Sequence, residues 1–246
     1  MIKFFRKIRQ NLLSEGKTGK YFKYAIGEIV LVVIGILIAL SINNWNTNNI
    51  ERSVELTMLK EMSSALKDDI LGIERQLKYL ENINRSVVKL VLIQNEPSYP
   101  NDSLIYHFNI ARTGGIGFSV NSSPYESLKS SGLNKISNAQ LRNNLTNLYE
   151  IKLKSVDFWI NNHILRNLNK RGDLVNEMFE KKITTDSISE VNIEYLINHD
   201  LLYKNPKSNE FLALSSSYIP LAKKNLKRAI SMMKIQLEEI EKELQK

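Results

Sequence analysis

An apolar run near the start of the chain is the most pronounced pattern in the sequence. It reads AIGEIVLVVIGILIALSI from Ala25 to Ile42, and Glu28 is its single charged residue. Eighteen helical residues with a rise of about 1.5 Å each extend roughly 27 Å, close to the hydrocarbon thickness of a bilayer. Because hydrocarbon offers no partner to backbone polar groups, such a segment has to be a helix. The pattern predicts a transmembrane helix over residues 25–45.

Five side chains are predicted to anchor this helix in the bilayer. Four are aliphatic and the fifth is an aromatic ring at the far interface: Ile29, Val33, Leu37, Leu40 and Trp45. Tryptophan rings favour the boundary between hydrocarbon and water, which suits the last of these positions. Two alternatives stay open. Ala39-Leu40-Ser41 fits the pattern of a signal-peptide cleavage site, and an apolar run can also form the buried core helix of a soluble protein.

Two later segments show the seven-residue repeat of helices that pack along a seam. In residues 50–94 the main set of repeating positions is Leu59, Leu66, Ile73, Leu80 and Val87. The companion set is Leu56, Ile70, Leu77 and Val91. The last predicted helix, from residue 209, repeats through Leu226, Ile230, Met233, Leu237, Ile240 and Leu244. The two long helices are expected to pair antiparallel within one chain, or else with a second copy.

Proline and capping residues mark the ends of the predicted helices. Pro97 is expected to end the first heptad helix. Ser123–Glu126 and Ser137–Gln140 both read as capping boxes that begin helices, and Val191–Leu202 is predicted to be a short helix. Amphipathic helices bury their apolar stripes against one another. The fold class is therefore predicted to be all-α: one transmembrane helix followed by an elongated antiparallel helical-bundle-like domain over residues 46–246.

Basic residues are concentrated before the apolar run. The chain has a formal net charge of +8, and the residues before Tyr24 contribute +6 of it. The positive-inside rule predicts a cytoplasmic N-terminus in the inner membrane and a periplasmic C-terminal domain. The residues predicted to set this topology are Lys3, Arg6, Lys7, Arg9, Lys20 and Lys23. Residues 1–24 are expected to form a basic amphipathic helix on the membrane surface. A nucleic-acid partner is not expected, because the basic residues adjoin the apolar run rather than a folded face.

Glu28 is a candidate intramembrane polar site. Acidic residues within membrane helices are rare and are often functional. It lies about one helical turn from the cytoplasmic end of the apolar run, so a contact with lipid headgroups or with Lys23 is the alternative interpretation.

The sequence shows no recognisable catalytic or metal-binding motif. Cysteine is absent, which excludes disulfides, cysteine nucleophiles and thiolate metal sites. His107, His163 and His199 have no partner at the spacing of metal ligands on a helix, and Gly114–Gly117 is not followed by the lysine and serine of a phosphate-binding loop. We predict no catalytic residues, no cofactor and no metal.

The irregular segment Arg112–Ser131 is the best candidate for a ligand or partner surface, because functional residues often lie on loops held by rigid helices. Phe158 and Trp159 are predicted to belong to the core, and a stacking role is the alternative.

Two segments carry a resemblance to a known family. YFKYAIGEIVLVVIGILIALSINNWN, residues 21–46, closely resembles the N-terminal hallmark of an uncharacterised family of membrane proteins common in Bacteroidota. YESLKSSGLNKISNAQLRNNLTNLYE, residues 125–150, is more loosely similar to a second family segment. The resemblance implies a membrane-anchored, largely helical protein of about this length. It implies no activity and brings no site residues.

Three functions are compatible with these patterns. The first is a non-enzymatic envelope module that binds a protein partner, scaffolds, or self-associates, with the lipid bilayer as its other partner. The second is a sensor-like ligand-binding module that signals through another membrane protein. An enzyme is the third and least favoured, since catalytic groups can be assembled from positions distant in sequence.

Overall fold

The apolar run and the first heptad segment form one continuous helix, α1, from Thr18 to Leu92. The computed structural model describes residues 18–185 and 190–246. No glycine or proline occurs between residues 41 and 50, so no residue there favours a break in the helix. A short 3₁₀ turn, Ile93–Asn95, follows α1, and Pro97 then prevents continuation. The predicted end of the first heptad helix is confirmed.

Seven further helices and one hairpin complete the described chain. The helices are α2 Asn101–Thr113, α3 Ser123–Ser131, α4 Ala139–Asn147, α5 Leu153–Met178, α6 His199–Tyr203, α7 Ser208–Ser217 and α8 Ile219–Leu244. A 3₁₀ turn, Leu133–Lys135, precedes α4, and a π-helical turn, Leu148–Lys152, joins α4 to α5. The strands are β1 Lys181–Thr185 and β2 Val191–Tyr195. The predicted all-α class is confirmed, and the described residues divide into two units, one ending at Leu56 and one from Thr57 to Lys246.

The core of the second unit lies along the predicted heptad seams. The main set of α1 positions is buried, as are Leu226, Met233 and Ile240 of α8. The companion set of α1 is only partly right, because Val91 is exposed. Three further α1 positions on the other flank of the main set are fully buried instead: Met62, Ile83 and Leu90. The buried face of α1 is therefore displaced to one side of the predicted seam.

The first and last long helices pair antiparallel within one chain. Three ion pairs join them, Lys67–Glu241 at 2.8 Å, Glu74–Lys234 at 3.5 Å and Glu81–Lys223 at 3.7 Å. Residue numbers rise along α1 while they fall along α8, which defines the antiparallel register. Exposed ion pairs contribute little stability each, so we use them as markers of register, and the buried seams provide the packing.

The capping residues differ from those predicted. Asn138, rather than Ser137, caps α4, since its side-chain oxygen accepts hydrogen bonds from the N–H groups of Gln140 and Leu141. The helix that begins at Ser123 has Pro124 in its first turn, as predicted, but Ser123 does not cap it. Asparagine and serine are equally good N-caps, so the sequence alone left the starting residue ambiguous.

The predicted helix over Val191–Leu202 is wrong. Its first half is strand β2, which pairs antiparallel with β1 so that Ile183 faces Ile193. Val191, Ile193 and Tyr195 alternate with polar residues, a period of two that is typical of a strand, and β-branched residues favour strands. Helix α6 begins only at His199, where the side chain of Asn198 caps it.

Candidate functional site

Residues Gly114–Ser122, which we call the strap, connect α2 to α3 without helix or strand. Its first residue is held by two side chains from later helices. The guanidinium of Arg171 donates hydrogen bonds to the backbone oxygens of Ala111 and Gly114, and the hydroxyl of Tyr218 donates to the same oxygen of Gly114 at 3.1 Å. These carbonyls lie at the C-terminal end of α2. The last carbonyls of a helix have no intrahelical donor, and a positive charge near them is stabilising.

The middle of the strap is held by an amide from α5. The N–H of Phe118 donates to the Oδ1 of Asn161 at 2.8 Å, and the Nδ2 of Asn161 donates to the backbone oxygen of Phe118 at 2.9 Å. The side-chain amide therefore bonds both the N–H and the C=O of one residue, as a neighbouring strand does in a β-sheet. Replacement of the amide would leave two backbone groups without protein partners.

The end of the strap is held by α1. The carboxylate of Asp69 accepts from the N–H of Asn121, with both oxygens at 3.0 Å. Burial raises the pKa of Asp69, the hydrogen bond from Asn121 opposes that rise, and the nearby Asp68 adds to it. The strap is thus fixed at its beginning, middle and end by side chains that are distant in sequence.

A groove of about 470 Å³, which we call the strap groove, lies between α1 and the strap. Ten residues line it: Gly72, Ile73, Arg75, Gln76, Tyr79, Gly115, Ile116, Gly117, Phe118 and Ser119. Its volume is within the range of small-molecule sites. Arg75 is the single charged residue among the ten, and no acid is one of them.

Close packing explains the glycine at the start of the strap. A Cβ at Gly114 would lie 2.4 Å from the backbone oxygen of Ile110 and 2.9 Å from the side chain of Ile83. Backbone cannot move aside as a flexible side chain can, so only glycine fits there. The residues that follow, Gly115–Ser119, form one wall of the groove.

The charge of Arg171 is buried behind the strap. Its side chain is fully enclosed, and burial lowers its pKa, although the neighbouring Tyr218 and Tyr79 oppose that change. Its guanidinium also lies over the ring of Tyr218, 5.3 Å from the centroid. Within residues 18–185 and 190–246 it has no carboxylate partner. Burial of an unpaired charge is costly, so this arginine is an unusual feature of the core.

The predicted surface Arg112–Ser131 supplies half of the strap groove. The other half comes from α1 and includes Arg75, Gln76 and Tyr79. The sequence did not indicate these three, because helix α1 reads as an ordinary heptad helix. Sequence reasoning also missed Arg171. A signal was present, since Arg171 lies at helical spacing from the buried residues Ile164 and Val175 of α5. An arginine on an apolar stripe indicates a specific buried partner.

Phe158 and Trp159 do not belong to the core, so that prediction is wrong. They are 64% and 41% exposed. The buried face of α5 is instead formed by Leu153, Val156, Ile160 and Ile164. Trp159 stacks on His163, with ring centroids 4.2 Å apart and planes inclined by 16°, and both line a smaller groove of about 210 Å³.

The other two histidines are in separate places. His107 Nδ1 lies 3.2 Å from the hydroxyl of Ser86, and burial lowers the pKa of His107, with Lys89 contributing. His199 Nε2 lies 3.1 Å from the backbone oxygen of Ile93. Among the residues that the structure describes, no group of three or more His, Asp or Glu side chains could hold a metal ion.

The predicted anchor residues are all exposed, from Ile29 to Trp45. Glu28 is partly exposed, and Lys20 and Lys23 lie in α1. The predicted leader, residues 1–24, lies outside the described residues up to residue 17, and its last residues begin α1. The topology residues Lys3, Arg6, Lys7 and Arg9 also lie outside the described residues. The apolar run is long and apolar enough to cross a membrane, and none of it is buried. This exposure contradicts the alternative of a buried core helix.

Comparison with known proteins gives a family match. Residues 28–202 match the model of a family described as "Family of unknown function (DUF6090)". No curated protein and no solved structure matches the chain.

Proposed function

The chain belongs to the DUF6090 family of unknown function, and from this premise we propose that it is a non-catalytic, single-pass protein of the cell inner membrane. Residues 25–45 span the bilayer, the leader lies in the cytoplasm, and the helical unit lies in the periplasm. This unit binds a protein partner and serves as an interaction or scaffold component of the envelope.

The exposed apolar run carries the proposal. Leu31, Val32, Val33 and Ile34 follow one another without a polar residue, and each exposes about half of its surface or more. Water does not tolerate a contiguous apolar surface of this size, whereas hydrocarbon accepts it. The helix also continues without interruption through Ala39–Ser41, which favours a retained anchor over a cleaved signal peptide.

The cations before the apolar run support the orientation. A net charge of +6 precedes Tyr24, while residues 41–49 carry no charge. Lysine and arginine remain preferentially on the cytoplasmic side of a membrane helix.

Labelling of single cysteines tests the anchor and its orientation, because the natural chain contains no cysteine. A membrane-impermeant maleimide should label Ser231→Cys in intact spheroplasts, and Ser14→Cys only after the membrane is permeabilised. Ser231 is exposed on α8, so its label reports the location of the helical unit. Ser14→Cys labelled from outside, or Ser231→Cys recovered in soluble extract without the leader, would contradict the proposal.

An exposed stripe on the helical unit supports the interaction role. Ile151, Phe158 and Leu165 are seven residues apart along the π-helical turn and α5, and each is about 60% exposed or more. Apolar positions at this interval match the packing of a second helix along a seam. We propose that the partner presents an amphipathic helix to this stripe.

Cross-linking in intact cells tests the stripe. Phe158→Cys, coupled to a short thiol cross-linker, should give a product of defined size, either a heterologous complex or a dimer of this chain. Lys170→Cys is the matched control, since it is exposed on the same helix but points away from the stripe by its helical position. Monomer alone with Phe158→Cys, or equal products with both variants, would remove the support for a partner helix.

A sensor-like module is the second candidate, and the strap groove favours it. A concave surface of this volume, lined by Arg75, Gln76 and Tyr79, suits a small ligand. Such a module would transmit binding through a second protein in the membrane.

A further inference from the structure

We propose that the strap groove binds a small ligand through an anionic oxygen group, a carboxylate or a phosphate. This inference deepens the sensor-like candidate and rests on it. It depends on three observations about the charges and hydrogen-bond donors around the groove.

The first observation is that Arg75 has no partner. It is exposed on α1, it lines the groove, and it forms no ion pair or hydrogen bond with the described residues. The adjacent acid, Glu74, faces α8 and pairs with Lys234 at 3.5 Å. A guanidinium presents a planar fork of donors that matches a carboxylate or a phosphate in two parallel hydrogen bonds. An anion in the groove would give Arg75 the partner that residues 18–185 and 190–246 do not provide.

The second observation is the buried cation behind the strap. Arg171 is bonded to neutral carbonyl oxygens, and the one on Gly114 belongs to the residue directly before the groove-lining Gly115. Carbonyl dipoles compensate only part of a full charge. Tyr79, on the opposite wall, is close enough to Arg171 to influence its ionisation. Arg171 does not line the groove, but its positive charge lies behind the strap, which forms one wall of it, and low-dielectric surroundings extend the field of such a charge.

The third observation is the set of unused donors on the strap. The backbone N–H groups of Gly115, Gly117 and Ser119 donate to no acceptor among the residues that the structure describes. At Gly117 the backbone is open, since a Cβ there would meet nothing closer than 3.8 Å, whereas at Gly115 it would lie 2.7 Å from the side chain of Leu168. Backbone N–H groups without a protein acceptor require another acceptor, and an anion can be that acceptor. Gln76 and Tyr79 add side-chain donors to the same groove.

The test measures ligand-dependent thermal unfolding of the full chain in lipid nanodiscs, followed by circular dichroism. The probes are inorganic phosphate and citrate, each compared with sodium chloride at equal ionic strength. The wild type should unfold at a higher temperature with at least one probe, because a ligand that binds the native state stabilises it by mass action. A shift with phosphate alone identifies a phosphate site, a shift with citrate alone identifies a carboxylate site, and a shift with both identifies a general anion site.

Arg75→Gln and Arg85→Gln form the matched pair of variants. Both residues are exposed on α1 and both substitutions remove one positive charge, but Arg85 does not line the groove. Arg85→Gln should bind the probe as the wild type does. Arg75→Gln should bind about tenfold more weakly or worse, as expected for loss of a charge-assisted hydrogen bond. Since Arg75 pairs with none of the residues that the structure describes, its substitution should leave the unfolding temperature without probe unchanged.

Two results would overturn the anion site. One is the absence of a shift in the wild type with both probes. The other is an equal shift in Arg75→Gln and Arg85→Gln, which would show general salting-out by the probe ions. Neither result bears on the membrane topology or on the partner helix, because cysteine labelling and cross-linking report those separately.

Discussion

Helix α1 contains two regions that differ in the exposure of their leucines. In the apolar run, Leu37 is 56% exposed, whereas Leu66, farther along the same helix, is fully buried. The backbone is helical in both places. The difference lies in the arrangement of apolar residues. They cover the apolar run on all sides, so no single protein face could enclose them, but they form one stripe after residue 57, which neighbouring helices can cover.

This comparison shows that the pattern of apolar positions, rather than the helix itself, selects the surrounding medium. The first region requires hydrocarbon, and the second requires protein. The charged residues of α1 differ between the two regions in the same way. Lys67, Glu74 and Glu81 form ion pairs with α8 beside the buried stripe. Residues 29–40 contain no charged residue.

The largest expected effect on stability concerns Arg171, the charged residue that lies within the apolar core. Arg171→Leu should lower the free energy of unfolding by about 3–5 kcal/mol. The oxygen of Ala111 loses its guanidinium donor, the oxygen of Gly114 keeps only the hydroxyl of Tyr218, and the smaller side chain leaves a cavity. Arg166→Leu, an exposed position on the same helix, should change it by less than about 0.5 kcal/mol. Chemical denaturation followed by circular dichroism measures both. Equal effects would show that the strap does not depend on the buried cation.

A matched pair of leucines tests the comparison directly. Leu66→Ala should lower the free energy of unfolding of the helical unit by about 2–5 kcal/mol, since it opens a cavity in the core. Leu37→Ala should leave that free energy within about 0.5 kcal/mol of the wild type, because Leu37 is exposed in the described part of the chain. Denaturation of the full chain in nanodiscs compares the two variants. A large effect of Leu37→Ala would mean that the apolar run is packed against protein.

A charged residue placed in the apolar run tests whether this segment is inserted in the membrane. Val33→Lys should disfavour membrane insertion by about 3 kcal/mol, the cost of a lysine at the centre of a membrane helix. Extraction of membranes with alkaline carbonate should release this variant more readily than the wild type. Val33→Leu, which keeps the run apolar, should stay in the pellet. Retention of both variants alike would contradict insertion.

The smallest expected effect is a pH dependence at the surface of the helical unit. Glu150 accepts hydrogen bonds from Lys129 at 2.6 Å and Lys154 at 2.5 Å, which lower its pKa from 4.5 to about 2. A lowered pKa in the folded state adds stability that is complete above pH 4.5 and is lost as the pH falls toward 2. The wild type should therefore unfold at a higher temperature than Glu150→Gln at pH 6, and the difference should shrink toward pH 3.

The control for this pH dependence is Glu238→Gln, which removes an exposed acid of α8. Its difference from the wild type should change less with pH. A difference for Glu150→Gln that stays constant from pH 6 to pH 3 would show that the two lysine contacts do not form in solution.

Local rules predicted the elements that depend on neighbours in sequence. The end of α1 before Pro97 and the buried main seam from Leu59 to Val87 follow from residue types and their spacing. The same rules misplaced Trp159, because an aromatic residue on an amphipathic helix is compatible with either face when the width of the buried stripe is unknown. They also misassigned Val191–Tyr195, where the strand forms by pairing with β1.

The strap groove illustrates what local rules cannot reach. Its walls come from residues 72–79 and 115–119, and the side chain that holds its beginning, Arg171, is 57 residues from Gly114. No periodicity links such positions. The sequence identified the strap side of the groove only as an irregular segment between helices, and the α1 side not at all.

The sequence by itself determined the helical character of the chain, the apolar run that is suited to hydrocarbon, and the seams that require burial. These properties are sums over adjacent residues, namely transfer free energy, helix propensity and the missing N–H of proline. Only the tertiary structure decided that the two seams meet within one chain, that Arg171 lies beneath the strap, and that Arg75 pairs with none of the described residues. Those outcomes depend on contacts between distant residues, whose energies exist only once the chain has folded.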